Sequence, residues 1–200
     1  MSGASFDWLR SLAATLLAGF AIKLMDDYLD HDMDRIWQKP SLYELLGDAI
    51  LPYAIIATSL GCALSVQVAC PLVLGAYVAG MARESGARYP SGLTAACEAA
   101  LVSAAAFFLF GARATLSSVA LMFSLQLADD LVDYSKEHGG NRKNFVNLLG
   151  KGETLLLAIC LFLLGLILDR SRAFLVLMCA PVVMLAAFYV GSRSRHRGGD

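Results

Sequence analysis

Residues 49–82 read AILPYAIIATSLGCALSVQVACPLVLGAYVAGMA, without a single charged side chain. A bilayer core about 30 Å thick takes about 20 apolar residues per helix. The run is therefore too long for one crossing and about right for two. The break is expected near Cys70-Pro71, with Pro71 in the first turn of the second helix, where a missing N–H is harmless. Working outward, the same reading gives spans at Phe6 to Met25, Leu93 to Phe110, Ala114 to about Ala128, Thr154 to Leu168 and Ala173 to Val190. Backbone in lipid must satisfy its own hydrogen bonds, and a β-barrel would show alternating polarity, which is absent. The expected fold is all-α, a polytopic transmembrane helix bundle of about seven transmembrane helices.

The whole composition agrees. Of 200 residues, 58% are hydrophobic and 16% charged, against about a quarter charged in an average soluble chain. This excludes a disordered chain and a nucleic-acid-binding module, so no nucleic acid partner is expected, and membrane lipid is. One transmembrane domain over 1–190 is expected, followed by a polar, basic and disordered tail over 191–200 that rests on anionic headgroups. The five cysteines, Cys62, Cys70, Cys97, Cys160 and Cys179, lie in apolar runs without CxxC spacing, and are read as small packing residues. The first apolar stretch lacks the basic start and cleavage site of a signal peptide and is kept as structure. No repeat of fixed period is evident.

Seven crossings place alternate loops on opposite sides. Of the 16 Lys and Arg, only Arg10, Arg113, Arg170 and Arg172 fall on one side. The richer side is the cytoplasmic one by the positive-inside rule. This puts the C-terminus in the cytoplasm and the N-terminus outside.

Two acidic clusters stand out on the cytoplasmic side. The first reads Asp26-Asp27-Tyr28-Leu29-Asp30-His31-Asp32-Met33-Asp34, the second Asp129-Asp130-Leu131-Val132-Asp133-Tyr134-Ser135-Lys136-Glu137. Each opens on DDxxD and ends an apolar span. At helical spacing Asp26, Asp30 and Asp34 share a face, as do Asp130, Asp133 and Glu137. Such a stripe repels itself unless a cation neutralises it. Mg²⁺ is the natural choice, since it binds one or two carboxylates together with substrate phosphates. Four crossings separate the clusters, so both are expected at one face, where Asp27, Asp30, Asp130 and Asp133 would act on a diphosphate. Lys23, Arg35, Lys39, Arg142 and Lys143 are candidates for its remaining oxygens. Ser41 and Glu44 have capping-box spacing, which places a helix start near Leu42.

These residues resemble the UbiA superfamily of intramembrane prenyltransferases. Its first motif, NDxxDxxxD, is similar to Asp26-Asp27-x-x-Asp30-x-x-x-Asp34, with Asp for Asn. Its second, DxxDxxxD, is similar to Asp130-x-x-Asp133-x-x-x-Glu137, with Glu last. Arg35 and Lys39-Pro40 resemble the basic stretch after the first motif, and Leu148-Leu149-Gly150 the segment after the second. Asn141 and Asn144 stand where the family has Gly and Thr. The likeness runs from about residue 6 to residue 190, with one helix fewer at each end than the family's nine. It implies Mg²⁺-dependent ionisation of a polyprenyl diphosphate and transfer of the prenyl group to an acceptor, or cyclisation without one. With fewer helices, a cavity open to lipid beside the Phe6–Met25 span is expected, or one sealed by a second copy in a homo-oligomer. Soluble DDxxD enzymes are far less apolar. Other readings are a divalent-cation transporter and a non-catalytic membrane subunit. Against transport, the acids gather at one face instead of the midplane.

Lesser candidates are Glu98, an ionisable group inside a span, and Gln126, one turn before Asp130. Tyr28 and Tyr134 are taken as occupying comparable places in the two motifs. They are candidates to stabilise an allylic cation or to anchor at the interface. His31 and His138 have no ligand-spaced partner His.

Overall fold

The computed structural model of the chain describes residues 2–37, 41–82, 86–134 and 145–197. Among these the only β pairing is an isolated bridge between Arg88 and Thr94. The helices are α1 (Ser2–Leu29), α2 (His31–Trp37), α3 (Tyr43–Leu46), α4 (Ile50–Ala82), α5 (Ala95–Phe110), α6 (Ala112–Tyr134), α7 (Phe145–Leu149), α8 (Lys151–Leu168) and α9 (Arg170–Arg197). Five helical stretches among the described residues are long and apolar enough to cross a membrane, and α5 is a shorter apolar helix. The fold is thus an all-α membrane bundle. Its outer surface carries large apolar side chains: Phe108 is 86% exposed and Ile167 77%. In water such a surface would associate; facing lipid it is ordinary.

The break in the uncharged run falls at Ser65 and not at Cys70-Pro71. Ser65 is extended (φ −157°, ψ 96°) and divides α4 into helical pieces 50–64 and 66–82, with Pro71 inside the second. Two long-range contacts fix the position. Arg10 of α1 donates from Nη2 to the carbonyl of Leu64 at 2.9 Å, satisfying one of the acceptors that a helix end leaves bare. Gly61 allows the chain to fold back closely: a Cβ there would lie 3.3 Å from the Ala14 carbonyl and from Ala69 Cβ. Each piece is about 16 residues, roughly 24 Å of helix.

The chain packs as two compact units, Met1–Val73 with Leu175–Asp200, and Leu74–Phe174. In the first, α1 turns a face of Ala14, Thr15, Ala18, Ala21 and Leu24 inward, each 3% exposed or less. Small side chains let helix backbones approach, which is the main source of helix association in lipid. Leu24 joins Leu42, Ile50, Ala54 and Ala187 in a buried cluster. In the second unit α6 packs on α8. Ser124 Oγ donates to the Ala158 carbonyl at 2.8 Å. A Cβ at Gly165 would come within 2.6 Å of Leu121 Cγ, and one at Gly75 within 2.9 Å of the Ser118 carbonyl carbon. Arg172, 7% exposed, donates to Ser118 Oγ at 2.9 Å and reaches Asp169 at 3.4 Å.

The tail also departs from expectation. α9 continues as helix through Arg197, where 191–200 was expected to be disordered. Arg193, Arg195 and Arg197 fall in the last turns of this helix, sequence positions where the macrodipole favours cations.

Candidate functional site

α1 runs through the first acidic pair and ends at Leu29, so Asp26 and Asp27 sit in its last turn. The single helical stripe expected over Asp26, Asp30 and Asp34 is interrupted. Asp30 is a bend, although its N–H still donates to the Asp26 carbonyl at 2.9 Å, and helix resumes at His31. The first stretch crowds five Asp, like-charged and poor in helix interiors, into residues 26–34, which works against a continuous helix.

Asp27 is 3% exposed. Its Oδ1 lies 2.9 Å from Lys23 Nζ, and its Oδ2 accepts the backbone N–H of Leu42, 15 residues on, at 2.8 Å. Lys23 also reaches Asp26 at 3.1 Å. The helix after the loop starts at Tyr43 without a capping box. Ser41 Oγ accepts from the Tyr43 N–H at 3.2 Å, and the carboxylate that serves the helix start is Asp27. His31 stacks on Tyr43 with ring centroids 4.4 Å apart, and its Nδ1 lies 2.8 Å from the Tyr28 carbonyl.

In the second cluster α6 continues unbroken through Tyr134, carrying Asp129, Asp130 and Asp133 in helix. Asp130 is 6% exposed. Its Oδ2 accepts the backbone N–H of Phe145, again 15 residues on, at 2.9 Å. The Phe145 ring meets Phe123 edge to face at 5.5 Å. Tyr134 lies under Lys151 Nζ, 4.6 Å from the ring centre.

The two segments are one arrangement met twice, contrary to the expectation of no repeat. Buried residues recur at one constant offset: Ala14 with Ser117, Thr15 with Ser118, Ala18 with Leu121, Ala21 with Ser124, Leu24 with Leu127, Asp27 with Asp130. Leu42 corresponds to Phe145, and Leu45-Leu46-Gly47 to Leu148-Leu149-Gly150. Both glycines adopt positive φ, +52° and +103°, and each ends its short helix. In this register Tyr134 corresponds to His31, not to Tyr28. Both fold onto the segment after the loop.

Asp26, Asp30, Asp129 and Asp133 are half-buried. Their donor chemistry, carboxylate oxygen alone, fits a hard divalent cation that takes one or two carboxylates and completes its shell with water and phosphate. Among the described residues no three Asp, Glu, His or Cys side chains converge as a metal-holding group. Arg35 is exposed on α2. The Asp34 side chain lies outside the described residues, as do Lys39, Glu137, Arg142 and Lys143.

Elsewhere, Glu98 is held by the Tyr77 hydroxyl at 2.7 Å and by Ser91, fixing the 86–94 turn to α5. Gln126 is half-buried on α6, in the place that Lys23 has on α1. The sequence reading missed the Leu42 and Phe145 amides and Gly47. The one available signal was the second Leu-Leu-Gly, at the same distance from its DDxxD as the first. No family model matches the chain, and it has no match among curated proteins or solved structures.

Proposed function

We propose that the chain is an Mg²⁺-dependent intramembrane prenyltransferase, ionising a polyprenyl diphosphate and passing the prenyl group to an acceptor. The observation that supports this most is the repeated acidic helix end, twice pairing buried and half-buried aspartates in the same local frame. A single acidic turn caps many helices; two built alike ask for a shared task. Asp30 with Asp26, and Asp133 with Asp129, would each present carboxylate oxygens to a cation. Mg²⁺ bound there would neutralise the diphosphate as the carbon–oxygen bond breaks. Arg35, Lys39, Arg142 and Lys143 supply positive charge for the remaining phosphate oxygens. Lys23, committed to Asp26 and Asp27, holds the acidic turn instead. By the crossing count, both clusters and the C-terminus face the cytoplasm.

An apolar groove of about 240 Å³, lined by Leu16, Leu17, Phe20, Val182, Val183 and Ala186, lies along α1. Phe20 is about 10 Å of helix away from Asp27. A groove beside this span suits an isoprenoid tail lying partly in lipid. It also favours a second reading, a terpene synthase without a polar acceptor, because an open side shields an allylic cation poorly from polar nucleophiles.

The test is release of diphosphate from allylic prenyl diphosphates of graded length by the purified chain in nanodiscs, with and without Mg²⁺. Product masses separate transfer from cyclisation. Release that is equal with and without the protein would end the enzymatic reading. Mn²⁺ uptake into proteoliposomes would then favour a transporter.

A further inference from the structure

We infer that Asp27 and Asp130, the second aspartate of each DDxxD, are positioning residues. Each ties the end of its helix to the start of a later one by holding the backbone N–H of Leu42 or Phe145, and leaves cation binding to its half-buried neighbours. The inference rests on the prenyl diphosphate reading only for what the neighbours bind.

The geometry carries it. Asp27 and Asp130 are 3% and 6% exposed. Each has an oxygen on a backbone N–H 15 residues downstream, at 2.8 and 2.9 Å. Asp27 has its other oxygen on Lys23 at 2.9 Å. An octahedral ion that keeps several of its waters needs room that a closed-over oxygen does not offer. The side chain of Asp26, by contrast, is 45% exposed, and Asp30 and Asp133 are half-buried. The amides served are also particular. Leu42 and Phe145 each begin the turn into a short helix, where N–H groups have no intrahelical acceptor. Leu42 is 2% exposed and sits in the buried cluster with Leu24 and Ile50. A buried N–H left without a partner there is costly. The bond therefore ties the end of α1 to the start of α3, and the end of α6 to the start of α7. In both copies the bond joins residues 15 positions apart. The aspartates that make these bonds are buried, and those beside them are less so.

The consequence separates charge from hydrogen-bond acceptance. Asn keeps a side-chain carbonyl able to accept the same N–H, but has no charge to give a metal. Asp130 is the better probe, because Gln126 and not a lysine precedes it. The experiment uses the full chain in nanodiscs, with Mn²⁺ alone as the metal probe by electron paramagnetic resonance, and hydrogen exchange at the Phe145 amide. Asp130→Asn should keep Mn²⁺ affinity within about threefold and keep Phe145 protected. Asp130→Ala should speed Phe145 exchange by about tenfold. Asp133→Asn should lose Mn²⁺ affinity by roughly 10–100-fold with Phe145 still protected. Two results would overturn the inference. One is Asp130→Asn binding Mn²⁺ as weakly as Asp133→Asn while Phe145 stays protected, which makes Asp130 a ligand. The other is Phe145 protection unchanged in Asp130→Ala. Should the wild-type chain bind no Mn²⁺, the diphosphate reading fails by itself, and the exchange rates of the Ala and Asn variants still decide the clasp.

Discussion

The acidic end of α1 and the acidic end of α6 share a frame and differ in the residue one turn before the buried carboxylate. Both occupy helix C-termini, where the macrodipole disfavours negative charge. Asp27 has the ammonium of Lys23 one turn before it. The corresponding residue before Asp130 is the neutral Gln126. The first end therefore carries a counter-charge on its own helix at a place where the second has only an amide. On this difference alone, the end without the helix-borne ammonium should hold a cation more tightly. The largest expected effect follows from that difference. Asp133→Ala and Asp30→Ala should each lower Mg²⁺-dependent diphosphate release by about 100-fold or more, with Asp133→Ala also giving the larger loss of Mn²⁺ affinity. Equal metal loss in the two variants would mean that Lys23 does not set the difference. Full activity in either would mean that the two ends do not share one chemistry.

Lys23 itself provides the next effect. Removing one partner of a buried ion pair leaves the other stranded, at about 3–5 kcal/mol when both are buried. The Lys23 side chain is 22% exposed and that of Asp27 only 4%, so Lys23→Met should cost nearer to about 2 kcal/mol. Gln126→Met should cost about 1 kcal/mol or less. Thermal unfolding in detergent reads both. A variant at Lys23 that keeps its stability and raises only the KM for the diphosphate would return Lys23 to the phosphate-binding set.

The sequence carried the helices well because apolar runs of this length have one stable solution in lipid. It carried the acidic pairs because five and four acids in nine residues at the ends of apolar spans are chemically unusual. It misplaced the break in 49–82 because Pro71 is the loudest local signal, while the deciding partners, Arg10 and Ala14, lie far off in the chain. The clasps were illegible for a similar reason. A carboxylate that accepts a backbone N–H demands nothing of the side chain at the other end, so Leu42 and Phe145 carry no mark. The repeat was hidden because its spans share mostly small or apolar character, Ala14 with Ser117 and Ala18 with Leu121, and few positions beyond Asp-Asp-x-x-Asp and Leu-Leu-Gly, such as Phe20 with Phe123 and Leu24 with Leu127, are literally the same.

The glycines that end α3 and α7 test whether the two copies are equally strained. At Gly47 (φ +52°) an added Cβ would meet open space, with no atom within 4 Å; at Gly150 (φ +103°) it would crowd the Glu153 carboxylate. That carboxylate is the far end of a flexible side chain and can swing away, so the backbone conformation should dominate at both. Gly47→Ala and Gly150→Ala should each cost about 1–2 kcal/mol, measured by thermal unfolding. A much larger loss at Gly150, relieved by Glu153→Ala, would show that the Glu153 position is fixed and that the second copy is the more tightly built.

The smallest effect comes from making the second end resemble the first. Gln126→Lys places an ammonium one turn before Asp130, as Lys23 stands before Asp27. The Gln126 side chain is half-buried, so the new pair should add about 0.5–1 kcal/mol to stability. It should also compete with a cation for the same local field and weaken Mn²⁺ binding by about threefold, which about 0.6–0.7 kcal/mol of opposing charge accounts for. The hydrogen bond from Phe145 should be unaffected, so its exchange rate should stay that of the wild type. The two readouts must move in opposite directions, stability up and metal affinity down, for the counter-charge to be what distinguishes the ends. Both falling together would mean that the introduced ammonium cannot reach Asp130, and the difference between the ends would then lie in packing and not in charge.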